Sequence, residues 1–149
     1  MENYEILEDE KLSMVSEPTV TYGNQKHQPF QYISKARKGL TKANLLTLKK
    51  NISLDLDTLA NLLDINPRTI QRRANDEPFK TSTSEKMLAI ANLYTFGFDI
   101  FDSRSTFINW MNSPITALNN EKPIAFLDTF YGINEVKNII GRLAYGVYS

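Results

Sequence analysis

The sequence has no cysteine, and its one histidine is His27. Without cysteine there is no disulfide framework and no thiol chemistry, which fits a cytoplasmic protein. With so little histidine, a Ser/His or Cys/His nucleophile pair is not expected, and no His/Cys cluster has the spacing of metal ligands. The six glycines are scattered, so there is no glycine-rich phosphate loop. No run approaches the ~20 apolar residues needed to span a bilayer. The N-terminus carries acids rather than a basic stretch before an apolar one, so no signal peptide is read there. Strand-like alternation never extends beyond a few residues, and neither an internal repeat nor a low-complexity tract is present. Paired carboxylates survive this elimination: Asp99 with Asp102, and Asp128 with Glu135. Solvated faces or helix caps account for both pairs. The expectation is an all-α binding protein with no catalytic residue, no metal, no cofactor and no membrane partner.

What is present is a sufficient core and an uneven charge. Apolar residues make up 42% of the 149, enough for one domain or for two small ones sharing a core. Net charge is zero, yet residues 1–28 hold six acidic and two basic side chains, and residues 29–86 hold eleven basic and six acidic. The remainder is nearly balanced, with four basic and five acidic. Positive charge is therefore gathered in one part of the chain, as a phosphate-binding surface requires.

At the centre of that basic part stands LDTLANLLDINPRTIQRRAN, residues 56–75. Leu56, Leu59, Ala60 and Leu63 recur with helical spacing, and Asp55 stands at the N-cap position. Residues 64–66 break the pattern. Asp64 falls where a left-handed residue is wanted, often Gly, and Asp tolerates that conformation better than most. Asn66 then caps a second helix with Pro67 at its first position, where a missing N–H costs nothing. Ile70 and Ala74 are expected to face the first helix. Arg68, Thr69, Gln71, Arg72 and Arg73 are the candidate DNA-binding residues, since Arg, Gln and Thr address base edges and phosphates. The arrangement is that of a helix-turn-helix, which reads DNA as a homodimer on two half-sites.

The remaining chain reads as further helices. Residues 1–28 are acidic, without sustained period, and read as a flexible segment. Residues 30–38 suit a helix ended by Gly39, with Phe30, Ile33 and Arg37 on one face. Thr41 caps a helix to about Asn51, with Leu45, Leu48 and Ile52 inward. Ser82 and Glu85 have capping-box spacing. The helix they open runs to about Phe101, with Met87, Ile90, Ala91, Tyr94, Phe98 and Phe101 as its stripe. Leu88, Leu93, Phe96 and Ile100 lie off that stripe, so this helix is buried on more than one side. It serves either as a central core helix or also as a contact for a second copy. Asp102 or Ser103 caps a helix across Phe107, Ile108, Trp110 and Met111. Pro123 starts a short helix, and Tyr131-Gly132 reads as a turn. Val136, Ile139, Ile140, Leu143 and Val147 give the last helix its stripe. The boundaries that follow are 1–28 for the acidic segment, 29–81 for the helix-turn-helix domain and 82–149 for a second helical domain.

The order RTIQRR, a long helix, FINWMNSPITAL, KPIAFLDT and a final GRLAYGVY resembles the Xre/MbcA/ParS antitoxins, over roughly residues 30–149. The motif residues are Trp110, Pro114, Leu118, Pro123, Leu127, Asp128, Thr129, Gly132, Val136, Arg142, Gly146 and Val147. Asn119-Asn120 departs from the pattern, which often has Gly there. The resemblance implies an all-helical antitoxin whose second domain binds and blocks a RES-type, NAD-depleting toxin. It further implies a helix-turn-helix that binds operator DNA and represses the antitoxin's own operon. The toxin-binding residues it implies are Arg142, Tyr145, Gly146, Val147 and Tyr148. Trp110, Pro114 and Leu118 are expected in the core, and Asp128 and Thr129 at a helix end. The alternative is a stand-alone helix-turn-helix regulator whose second domain dimerises or senses a ligand.

Overall fold

The computed structural model of the chain describes residues 29–146. Among them run seven α-helices: α1 (Pro29–Lys38), α2 (Lys42–Asn51), α3 (Leu56–Leu62), α4 (Pro67–Arg72), α5 (Thr81–Ile100), α6 (Arg104–Met111) and α7 (Phe130–Ala144). Two 3₁₀ turns, Thr116–Leu118 and Pro123–Phe126, lie between α6 and α7. Among the described residues no strand forms; Thr41 with Pro78 and Ile115 with Glu121 make isolated bridges. None of the described helices is long and apolar enough to cross a membrane.

Local chemistry sets most of the helix starts. The side chains of Thr41, Asp55, Asn66, Ser103 and Thr129 each accept a backbone N–H of the first turn that follows, satisfying a donor that has no partner within the helix. Of the two caps open for α6, Ser103 is the one used. α5 is the exception. The capping box of Ser82 and Glu85 does not form: the helix begins two residues earlier, with Lys80 at the cap, and both side chains are exposed. Only an oxygen at the cap position reaches the free N–H groups, so the shift disables Ser82. Ser84 ties down this end instead, accepting the Leu40 N–H at 2.8 Å and donating to the Phe79 carbonyl at 3.4 Å.

α5 is the axis of the molecule. At about 1.5 Å per residue its 20 residues span roughly 30 Å. Met87, Ile90, Ala91 and Tyr94 are fully buried, and Leu88 and Leu93 are buried on its other sides, so the helix is enclosed nearly all round. α1 and α7 both pack against it, and a single apolar cluster extends from Ala36 to Ile140. Phe107 of α6 plugs its C-terminal half. The Phe107 ring lies 5.4 Å from Tyr94, 5.5 Å from Phe98 and 5.0 Å from Phe101. Gly97 makes room for it, since a Cβ there would fall inside the Phe107 ring.

Four expectations are corrected. The face of α1 shared by Phe30, Ile33 and Arg37 is not the one that packs: Phe30 is 81% exposed and the other two also face solvent. Tyr32, Ala36 and Leu40, four apart, meet the core instead. Ala36 permits a close approach to α5, and the face that carries Arg37 keeps its charge in water. α4 ends at Arg72, and Ala74 is exposed rather than facing α3, because Arg73 at the cap is already extended (ψ 149°) and turns the chain away. Tyr131 and Gly132 are no turn but the first turn of α7. Gly132 is needed for contact, since a Cβ would overlap the Phe126 carbonyl. Pro114 is exposed and Trp110 half-buried, and only Leu118 of that trio lies in the core. Pro114 follows the C-cap of α6 and redirects the chain at the surface.

Candidate nucleic-acid and partner interfaces

α3 and α4 form the expected helix-turn-helix. Leu59, Ala60, Leu63 and Ile70 are buried, Asp64 takes the left-handed conformation (φ +57°), and Pro67 stands at the first position of α4. Arg68, Thr69, Gln71 and Arg72 are all exposed on α4. Neither Arg68 nor Arg72 enters an ion pair among the described residues. Arg73 is placed differently. Its guanidinium lies 4.4 Å above the Phe79 ring, donates to the Pro78 carbonyl at 2.7 Å and sits 3.8 Å from Glu77. That side chain braces the segment between α4 and α5.

Two tethers escaped the sequence reading. Lys42 Nζ donates to the carbonyls of Gln71 (3.0 Å) and Arg73 (3.2 Å), putting a positive charge on the C-terminal end of α4. One signal was available: a lysine in the first turn of a helix opposes that helix's own dipole, which suggests employment elsewhere. Lys86 Nζ donates to the carbonyls of Leu62 (3.2 Å) and Asp128 (2.7 Å). It thereby ties the end of α3 to the approach to α7, and nothing in the spacing announced it.

The second set of candidates lies on α7. Thr129 accepts the Gly132 N–H at 2.9 Å, so Thr129 opens this helix and Asp128 precedes its cap. Ile133, Val136, Ile139 and Ile140 are buried beneath it. Arg142 is exposed, with Glu135 at 3.6 Å. Tyr145, at the C-cap, is 71% exposed, and Gly146 follows with φ +66°. Val147 and Tyr148, like residues 1–28, lie outside the described residues. The α4 and α7 candidates are thus two surfaces on separate elements, joined through α5 and Lys86. Among the described residues no group of three or more His, Cys, Asp or Glu side chains is placed to hold a metal ion. Asp99 is exposed near the C-terminal end of α5, and partial desolvation raises its carboxyl above the usual value.

Two family models divide this architecture between them. Residues 31–92 match the antitoxin Xre-like helix-turn-helix domain, and residues 97–146 match the antitoxin Xre/MbcA/ParS C-terminal toxin-binding domain. The chain belongs to the Xre/MbcA/ParS antitoxin family. Family members belong to toxin–antitoxin systems, and the two matches put a toxin and DNA among the partners to be considered. Antitoxin Xre of Yersinia enterocolitica is 34% identical over 80 residues, 53% of this chain and 54% of that protein. The chain therefore aligns with about half the length of that relative. The Prs ADP-ribosylating antitoxin of Sphingobium sp. is 24% identical over 131 residues, 81% of this chain and 82% of its own. Antitoxin Xre of Photorhabdus laumondii is 27% identical over 93 residues, 61% of this chain and 63% of its own. Asn119 (φ +56°) and Asn120 (φ +64°) are both left-handed, and they hold the turn in the conformation glycine would favour.

Proposed function

We propose that this chain neutralises a RES-type, NAD-depleting toxin by covering its active-site cleft with the C-terminal end of α7 and the residues beyond it. The carrying observation is that the segment matching a toxin-binding domain ends in a firmly packed helix whose terminal Arg142 and Tyr145 are exposed. A plug of this kind needs a rigid helix behind it and side chains that lose little entropy on binding. Arg142, Tyr145, Gly146, Val147 and Tyr148 are the contact residues of this reading. The toxin supplies the enzymatic activity. The antitoxin acts in the cytoplasm and needs no catalytic residue or cofactor.

In the same reading, Arg68, Thr69, Gln71 and Arg72 address operator DNA and repress the operon. Arg73, part of the same surface, works chiefly by holding the segment after α4. The protein acts as a homodimer, because two recognition helices about one helical turn apart read paired half-sites. The decisive experiment expresses this chain with and without the product of its adjacent gene and scores growth, cellular NAD and co-purification. Growth arrest and NAD loss by the neighbour, both reversed by a complex with this chain, are expected. Removal of residues 142–149 should abolish neutralisation without unfolding the rest. Full neutralisation by the shortened chain would remove the plug, and a harmless neighbour that binds nothing would leave a stand-alone regulator.

A further inference from the structure

α7 contains a glycine for which the described residues supply no reason. Gly141 lies inside the helix, three residues before its end, and its φ is not positive. A Cβ built on it would meet nothing within 4 Å among the described residues, whereas at Gly97 and Gly132 it would collide with Phe107 and Phe126. Glycine at such a position weakens a helix relative to alanine. Among the described residues neither a turn nor an internal contact offsets that loss.

The surroundings of Gly141 suggest what does. Tyr131, Glu135, Asn138, Arg142 and Tyr145 recur at i, i+4, i+7, i+11 and i+14, which places them in one line down the outer face of α7. All five are exposed, and at about 1.5 Å per residue the line is roughly 21 Å long. Tyr131 is 90% exposed at one end and Tyr145 71% at the other. Between them Glu135 and Arg142 neutralise each other at 3.6 Å. Gly141 leaves a dent beside the line, three residues after Asn138 and four before Tyr145. Aromatic anchors, a self-neutralised centre and a site of close approach suit a protein surface, and the face has no excess of positive charge for nucleic acid.

We infer that the toxin packs along the whole outer face of α7, with part of its chain seated at Gly141 and with Tyr131 as a second anchor. This rests on the antitoxin reading above and extends it. The tail is one end of an interface that reaches back to the first turn of the helix. The toxin is the chosen occupant because all of α7 falls within the segment that matches the toxin-binding domain.

The test uses the full chain with Gly141→Ala, Gly141→Leu and Tyr131→Ala, and the purified product of the adjacent gene as probe. Gly141→Ala is expected to melt above the wild type while binding the probe more weakly, a combination that loss of fold cannot produce. Gly141→Leu should weaken binding roughly ten- to hundredfold, and Tyr131→Ala about tenfold or more. Wild-type affinity in both glycine variants would overturn the inference and leave the antitoxin reading standing. Loss of self-association in Gly141→Leu with probe binding intact would also overturn it, assigning the face to a second copy. No complex between the wild type and the probe would overturn both.

Discussion

α4 and α7 are built to opposite specifications. α4 has six residues and one buried apolar anchor, Ile70. So short a helix is not stable alone, because the cost of nucleation is spread over too few hydrogen bonds. It is held from outside, by the Asn66 cap at one end and Lys42 at the other. α7 has fifteen residues and a continuous buried stripe of Ile133, Val136, Ile139 and Ile140, and packing on α5 supports it directly. Their outward faces differ in the same sense. α4 presents arginines, which suit phosphate oxygens; α7 presents tyrosines at its ends and a neutralised pair between, which suit another protein. A binding helix can therefore be short if its neighbours carry it, and the chemistry outside names the class of partner.

Both helices depend on the core around α5, so the largest expected effect erases the contrast. Phe107→Ala opens a cavity among four aromatic side chains, Tyr94, Phe98, Phe101 and Trp110. The expected loss is about 3–5 kcal/mol, out of ~5–15 for a domain of this size. Denaturant unfolding would measure it, and toxin and DNA binding should fail together. A variant that loses only toxin binding would show that the two ends fold separately.

The next effect tests the tie between the ends. Lys86→Met removes the donor shared by the Leu62 and Asp128 carbonyls, with an expected loss of about 1.5–3 kcal/mol before the partial exposure of the amine is discounted. Unfolding should remain a single transition at a lower midpoint. The separation of the two functions is sharpened by Arg68→Ala and Arg72→Ala. Each should weaken operator binding by ~1–3 kcal/mol where it reads a base, or lower the salt slope by about one where it holds a phosphate. Toxin affinity should not change. Unchanged DNA affinity at fixed salt in both variants would mean that another face reads the operator.

The helix-turn-helix was legible because its signals are local. Asp55, Asp64, Asn66 and Pro67 each act on their own backbone, and Leu59, Ala60, Leu63 and Ile70 keep one period. α1 was misread because its apolar residues fit two stripes, and only the surface of α5 chooses between them. The capping box at Ser82 was locally sound and lost to a tertiary bond, Ser84 to Leu40. Tyr131-Gly132 was read as a turn because glycine has two uses, and the contact with Phe126 is invisible in sequence. Of the candidate site, exposure of the α4 row followed from periodicity. The commitments of Arg73, Lys42 and Lys86 did not, since the Phe79 ring under Arg73 and the backbone carbonyls that all three engage are positioned only by the fold.

The smallest effect distinguishes two carboxylates by sign. Hydrogen bonds from the Thr58 side chain and backbone hold the Asp55 carboxyl below its usual value, against slight desolvation and with help from Lys49. A carboxyl lowered in the folded state contributes stability that is fully present above its unfolded value and is lost as pH falls through its folded value. Asp99, near the C-terminal end of α5, is exposed, yet partial desolvation raises its carboxyl, so its ionised form slightly opposes folding near neutrality and that opposition disappears as pH falls through its raised value. Unfolding followed across the acidic range should show Asp55→Asn losing part of the wild type's decline in stability. Asp99→Asn should be more stable than the wild type at neutral pH and converge with it on acidification. Parallel curves for both variants would mean that neither carboxyl is coupled to folding, and that the cap on α3 works through the geometry of its oxygen and not through its charge.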